Sequence, residues 1–221
     1  MSAKSRRSLT WGRPLVAGVV LAPFFYLVVL VQMFARDGFD ISRHAISSLS
    51  LGDAGWIQVA NFVITGTLAL VAAFGLRQSL NGGKRGRFGP LLVGLFGAGI
   101  IVAGLFKTDP ALGFPPGTPD ELPVSMSSSA AMHSLGFFVA FGALTAACFV
   151  VARRFEAPED RAWYRYSVVS GIAAPLLVVL GMAKPDAAGV FFALAGAVAF
   201  GWLSVVCWRL ATSSPVRVTN D

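Results

Sequence analysis

The chain has 221 residues, with 18 Lys and Arg against 11 Asp and Glu and a formal net charge of +7. Hydrophobic residues make up 55% and charged residues 13%, and the mean hydropathy is +0.69. Soluble domains carry roughly 25% charged residues, so this composition excludes both a disordered chain and a water-soluble globule.

A bilayer core about 30 Å thick needs about 20 mostly apolar residues to cross it as a helix. Six stretches qualify, at 15–34, 57–76, 89–106, 131–151, 167–182 and 189–208. Backbone in lipid has to satisfy its own N–H and C=O groups within the segment, so these stretches are helices rather than strands. Pro23 and Pro175 fall inside spans, where membrane helices accommodate them as kinks. The expected fold class is all-α, a polytopic membrane protein with six transmembrane helices. A basic tail covers 1–14, the transmembrane domain 15–208 and a second tail 209–221.

Counting bases by connection orients the chain. With the N-terminus inside, the inner segments hold 14 Lys and Arg, and the outer ones only Arg36, Arg43, Lys107 and Lys184. Both termini are therefore expected in the cytoplasm and the chain in the plasma membrane. The excess positive charge meets anionic lipid head groups, and no nucleic acid partner is expected. Cys148 and Cys207 fall near the inner helix ends and read as small packing residues. Trp11, Trp56, Trp202, Trp208, Tyr164 and Tyr166 fall near helix ends, as an interfacial aromatic belt requires.

Lipid tails are as apolar as Leu, so helices associate by close approach through small residues. Gly189, Ala193, Ala197 and Gly201 recur every four residues down the sixth span. Gly94 with Ala98, Gly99 with Ala103, and Gly136 with Ala140 give similar faces on the third and fourth.

No Asp, Glu, Lys, Arg or His lies near the middle of a span, which demotes an ion-coupled small-molecule transporter. The polar groups gather at the outer boundary instead. In the first outer connection Asp40 is a good N-cap and Gly52 a good stop, predicting a short interfacial helix over 41–51. On that helix His44 and Ser48 would be neighbours, four residues apart. Asn61 lies about 6 Å into the second span. The third span exits through Lys107 and Asp109 into a proline-rich segment, and His133 opens the fourth.

Three readings of this cluster stay open on the sequence. In the first, Asp109 braces its loop and the histidines bond loop carbonyls. In the second, His44, Asp109 and His133 hold a divalent metal such as zinc. The metal would activate water in a hydrolase acting on a lipid or similar ester or amide, with Asn61 or Ser48 orienting the substrate. Ser48 beside His44 is alternatively a hydroxyl nucleophile with its base, which completes the catalytic candidates His44, Ser48, Asp109 and His133. In the third, the cluster is a non-catalytic polar pocket for a lipid head group or envelope component, with Arg43, Asn61 and Lys107 as ligand-binding candidates. A haem held between the two histidines is a more distant variant.

The segments 42–62 and 104–119, followed by His133, resemble a prokaryotic six-span membrane family, domain-of-unknown-function family 998. The elements that carry the likeness are Ser48-Leu49, Trp56 to Phe62, Phe106 to Pro110, and His133. Many members carry an acidic residue between the Ser and Leu, where this chain reads Ser47-Ser48-Leu49. The resemblance spans about residues 13 to 210. It implies the six-helix architecture and no particular activity.

Overall fold

The computed structural model describes residues 13–80 and 85–212. Six long helices dominate: α1 (Arg13–Ala35), α2 (Gly55–Ser79), α3 (Arg85–Leu105), α4 (Ser128–Ala152), α5 (Arg161–Ala183) and α6 (Ala188–Thr212). All six are long and apolar enough to cross a membrane. The chain is a multi-pass, all-α membrane protein. Several helices overrun their apolar stretches because polar residues extend them into the interface; α4 begins at Ser128 and α5 at Arg161. Arg13 already starts α1 and α6 continues to Thr212, so the remainder of the two expected tails lies outside the described residues.

Each helix packs against the next in chain order and α6 returns to α1, closing a ring. The connections 36–54, 106–127 and 184–187 share one end of this ring, here termed the loop face. The opposite end is the basic face.

Backbone contact through glycine sets the tightest joints. A Cβ on Gly99 would meet Gly136 O and Ala140 N at 2.8 and 2.9 Å, and one on Gly136 would meet Ala103 N at 2.7 Å. The faces expected on α3 and α4 therefore interlock with each other. The stripe expected down α6 does not hold. Ala197 is exposed and a Cβ on Gly201 would touch nothing, whereas Gly189 packs under the first loop-face connection and Gly196 against Tyr26. Aromatic rings, rather than a continuous row of small residues, fill the ring's centre behind α6.

α1 meets α6 through a bond exchange at a proline step. The Ser204 hydroxyl accepts from Ala22 N–H at 3.1 Å and donates to Gly18 O at 2.8 Å, immediately before Pro23. A side chain inserted into a helix's own ladder is a recognised source of bending. Trp202 also departs from expectation. It is fully buried and donates to Ser167 Oγ at 3.0 Å, while Trp56 and Trp208 are the exposed, boundary-type tryptophans. Trp11 lies outside the described residues. Cys148 and Cys207 are free, buried packing residues.

Gly136→Ala should cost about 1–3 kcal/mol by forcing α3 and α4 apart. Gly142→Ala, with nothing within 4 Å of its Cβ, should be neutral or slightly stabilising. Thermal unfolding in detergent, run on both variants, checks the contrast.

Candidate functional site

The first loop-face connection folds around Asp40 without forming the expected helix. Ser42 donates to Asp40 Oδ1 from both its hydroxyl (2.7 Å) and its N–H (2.8 Å), and Arg43 and His44 N–H bond back to Asp40 O. These bonds hold the Asp40 carboxyl below its ordinary pKa, the Ser42 hydroxyl contributing most. Ala45 is then extended (φ −61°, ψ 149°), and only a short 3-10 helix, Ile46–Ser50, follows. The serines favour this outcome because they bond locally to the backbone, as Ser50 does to Ser47 O at 2.7 Å. Asp40 thus closes a turn instead of capping a helix over 41–51.

The extended step at Ala45 sends the His44 ring under the second connection. Its Nδ1 accepts from Asp40 N–H at 2.9 Å, which places the proton on Nε2, and Nε2–H donates to Leu112 O at 2.9 Å. Leu112 has a left-handed backbone (φ 54°), a conformation uncommon for a non-glycine residue. Phe114 is buried against the rings of His44 and Phe39, with the Arg36 guanidinium 5.5 Å from its centroid. Arg36 also bonds the carbonyls of Leu49 and Leu51, and Arg43 pairs with Asp120. The proline-rich connection is therefore a roof pinned by Phe114 and His44.

The exit of α3 and the entry of α4 are joined by bonds whose donors all come from the α4 side. His133 Nδ1–H donates to Ala103 O at 2.7 Å and Phe106 O at 3.1 Å, and Ser129 Oγ donates to Lys107 O at 2.8 Å. Ser127 caps α4 by accepting from Ala130 N–H, and its own N–H donates to Asp109 Oδ2 at 2.9 Å. Ser127, through its hydroxyl first and its N–H second, holds the Asp109 carboxyl below its ordinary pKa. Because α4 starts earlier than its apolar stretch, His133 lies in the second turn and is buried.

These bonds correct the metal-ligand reading of His44, Asp109 and His133. Both His44 nitrogens are committed to the backbone, Asp109 braces α4, and His133 Nδ1 serves carbonyls of α3. Among the described residues no group of three or more His, Cys, Asp or Glu could hold a metal ion. The haem variant fails for the same reason, because His44 has no free nitrogen to offer an iron. Nor do Ser48 and His44 form a nucleophile–base pair: Ser48 is half-buried on the 3-10 helix, and His44 bonds elsewhere.

The ligand-binding candidates are also placed elsewhere. Arg43 is tied to Asp120, and Lys107 is exposed. Asn61 is a buried cross-link from α2 to α1, donating to Phe25 O at 3.1 Å and to Gln58 Oε1 at 3.2 Å. Gln32 joins the same network through Gln58 Oε1 at 2.8 Å.

What the fold does enclose is a cavity of about 260 Å³ in the half of the ring nearest the loop face. Its walls are aromatic: Tyr26 from α1, Phe62 from α2, Phe137 and Phe141 from α4, Phe192 and Phe200 from α6. The upper edge carries the polar side chains Ser47, Thr108, His133 and Ser134. Tyr26 spends its O–H on Ala193 O at 2.8 Å. Among the described residues, no Lys, Arg, Asp or Glu lines the space. It reaches the lateral surface between α4 and α5, where the lining residues Phe138 and Met182 are 52% and 61% exposed.

Of the candidate catalytic, metal-ligating and ligand-binding residues read from the sequence, only His133 lines this cavity. The missed ones carried a readable signal. His133, Phe137 and Phe141 recur at four-residue spacing on α4, as do Phe192, Gly196 and Phe200 on α6, so each set shares one helix face.

The fold and site define a multi-pass membrane protein with an aromatic cavity open to its lateral surface. The chain belongs to the family described as protein of unknown function (DUF998), which matches residues 5–209. No curated protein and no solved structure matches it.

His44→Ala should release the roof without unfolding the helices. Hydrogen–deuterium exchange at residues 111–121 should rise at least tenfold while α2 and α3 keep their protection. The Asp109 brace carries a pH signature. A carboxyl with a lowered folded pKa stabilises above its ordinary value of 3.8, and that contribution is lost as pH falls through the lower folded value. Exchange at the first turn of α4 should therefore accelerate only in acid, and Asp109→Asn should remove the acid step.

Proposed function

We propose that this protein lies in the plasma membrane with both termini cytoplasmic and binds a lipid or lipid-like envelope component from the extracytoplasmic leaflet. Fourteen Lys and Arg in the inner segments, counted along the sequence, against four in the outer ones support this orientation. The observation that carries the reading is the cavity itself: aromatic walls, polar side chains only along one edge, and a mouth at the lateral surface. Small-molecule sites are mostly apolar, with a few placed polar groups, and about 300–1,000 Å³ in volume. At about 260 Å³ this cavity falls just below that range, which suits the polar end and upper chain of a lipid rather than a whole diacyl lipid.

The geometry explains the vertical order. His133 lies five residues into α4 and Phe141 thirteen, so the polar edge sits about 8 Å below the helix start and the walls continue about 12 Å deeper. A lipid entering sideways keeps its chain in hydrocarbon throughout and exchanges only its polar end from the interface to the cavity edge. The metal-dependent hydrolase has no comparable support, because both His44 nitrogens are bonded to backbone and no group of three or more His, Cys, Asp or Glu among the described residues could hold a metal ion.

Ser134→Trp should push a large ring into the cavity from its polar edge, one helical turn from Phe138 at the mouth. Native mass spectrometry of the protein released from lipid nanodiscs should show a bound lipid on wild type that is depleted at least tenfold in this variant. Equal lipid occupancy in both would count against the cavity as the binding site.

A further inference from the structure

The bonding of His133 specifies what the cavity recognises, an inference that rests on the lipid-binding reading above. Ala103 O and Phe106 O can only accept, so the Nδ1 facing both of them carries a proton. In the neutral ring the other nitrogen, Nε2, is then an acceptor and nothing else. It meets no protein group among the described residues, and His133 lines the cavity. The hydroxyls of Ser47, Thr108 and Ser134 along the same edge rotate to donate or accept, so they accommodate any polar group. Nε2 alone imposes a demand. A ligand that brings an O–H there gains a hydrogen bond, and one that brings only acceptors leaves two lone pairs opposed.

The absence of charge in the lining sharpens the choice. A phosphate or carboxylate brought into this space would lose its hydration without meeting a cation, at a cost far beyond that of a neutral group. A hydroxyl loses little and finds partners.

We propose that the cavity selects a neutral, hydroxyl-terminated amphiphile, a long-chain or isoprenoid alcohol in chemical class. The hydroxyl donates to His133 Nε2 and the chain lies among Phe137, Phe141, Phe192 and Phe200.

The test compares three molecules that share one chain and differ at the end: 1-dodecanol, dodecyl methyl ether and dodecanoate. Each competes with tritiated 1-dodecanol for the full-length protein in phosphatidylcholine nanodiscs at pH 7.5. In wild type the ether should compete at least tenfold more weakly than the alcohol, and dodecanoate more weakly still. His133→Asn keeps an amide donor at the Nδ1 position and presents nothing at the Nε2 position. In it, alcohol and ether should compete within threefold of each other.

Equal competition by alcohol and ether in wild type overturns hydroxyl selection and leaves the lipid reading standing. Preference for dodecanoate overturns it too, by showing a positively charged ring that recruits an anion. A wild-type preference that survives in folded His133→Asn removes His133 from the recognition. Tritiated dodecanol binding that Ser134→Trp leaves unchanged defeats the cavity reading itself. The wild-type comparison decides the matter even where a variant fails to fold.

Discussion

The structure depends on one constraint: backbone groups that leave a helix below the membrane boundary have no water to bond to. An unmet carbonyl or N–H in hydrocarbon costs several kcal/mol, so each exit and kink has to be met by a side chain. In this fold many of the notable polar side chains, at the loop face and deeper in the bundle, answer such a need. His133 and Ser129 take the carbonyls where α3 ends, and Asp109 takes an N–H where α4 begins. Asn61 reaches Phe25 O on α1, and Ser204 serves both partners of the step before Pro23. The cavity exists because α4, held to α3 by these bonds and the glycine joint, stands away from α6, with which it makes only slight contact.

The two histidines show how one residue type divides between tasks. His44 is saturated: one nitrogen accepts, the other donates, and its ring faces sit among Phe39 and Phe114. It has no remaining capacity for chemistry, and its work is to bring the roof down onto the first connection. His133 is saturated on one side only. The bonds that hold its Nδ1–H also aim the ring, leaving its second nitrogen without a protein partner among the described residues.

The six spans were readable from hydropathy because crossing the bilayer demands length and apolarity together, and α1 to α6 satisfy both. The interlock of Gly99 and Ala103 with Gly136 and Ala140 was readable for a similar reason: small residues at helical spacing have few other uses in lipid. The site was only partly legible. Polar residues do concentrate at the loop face, but which carbonyl each must satisfy depends on where a neighbouring helix stops, and that is a tertiary fact. The four-residue spacing of His44 and Ser48 makes them neighbours only on an α-helix, and their segment is a turn, an extended residue and a 3-10 helix. The aromatic walls are not legible in the same way, because phenylalanine inside a membrane span reads as lipid-facing bulk. Only the shared spacing on α4 and α6 separates the inward rings from the rest.

On the lipid-binding proposal, the sideways mouth between α4 and α5 would change the meaning of concentration for this protein. A guest arriving from the bilayer would already be gathered into a thin slab, so its occupancy would follow its abundance relative to the surrounding lipids, not its amount dissolved in water. Weak intrinsic attraction would then be enough to fill the chamber, and dilution of the aqueous phase would leave it full. Release would require removal of the guest from the leaflet itself.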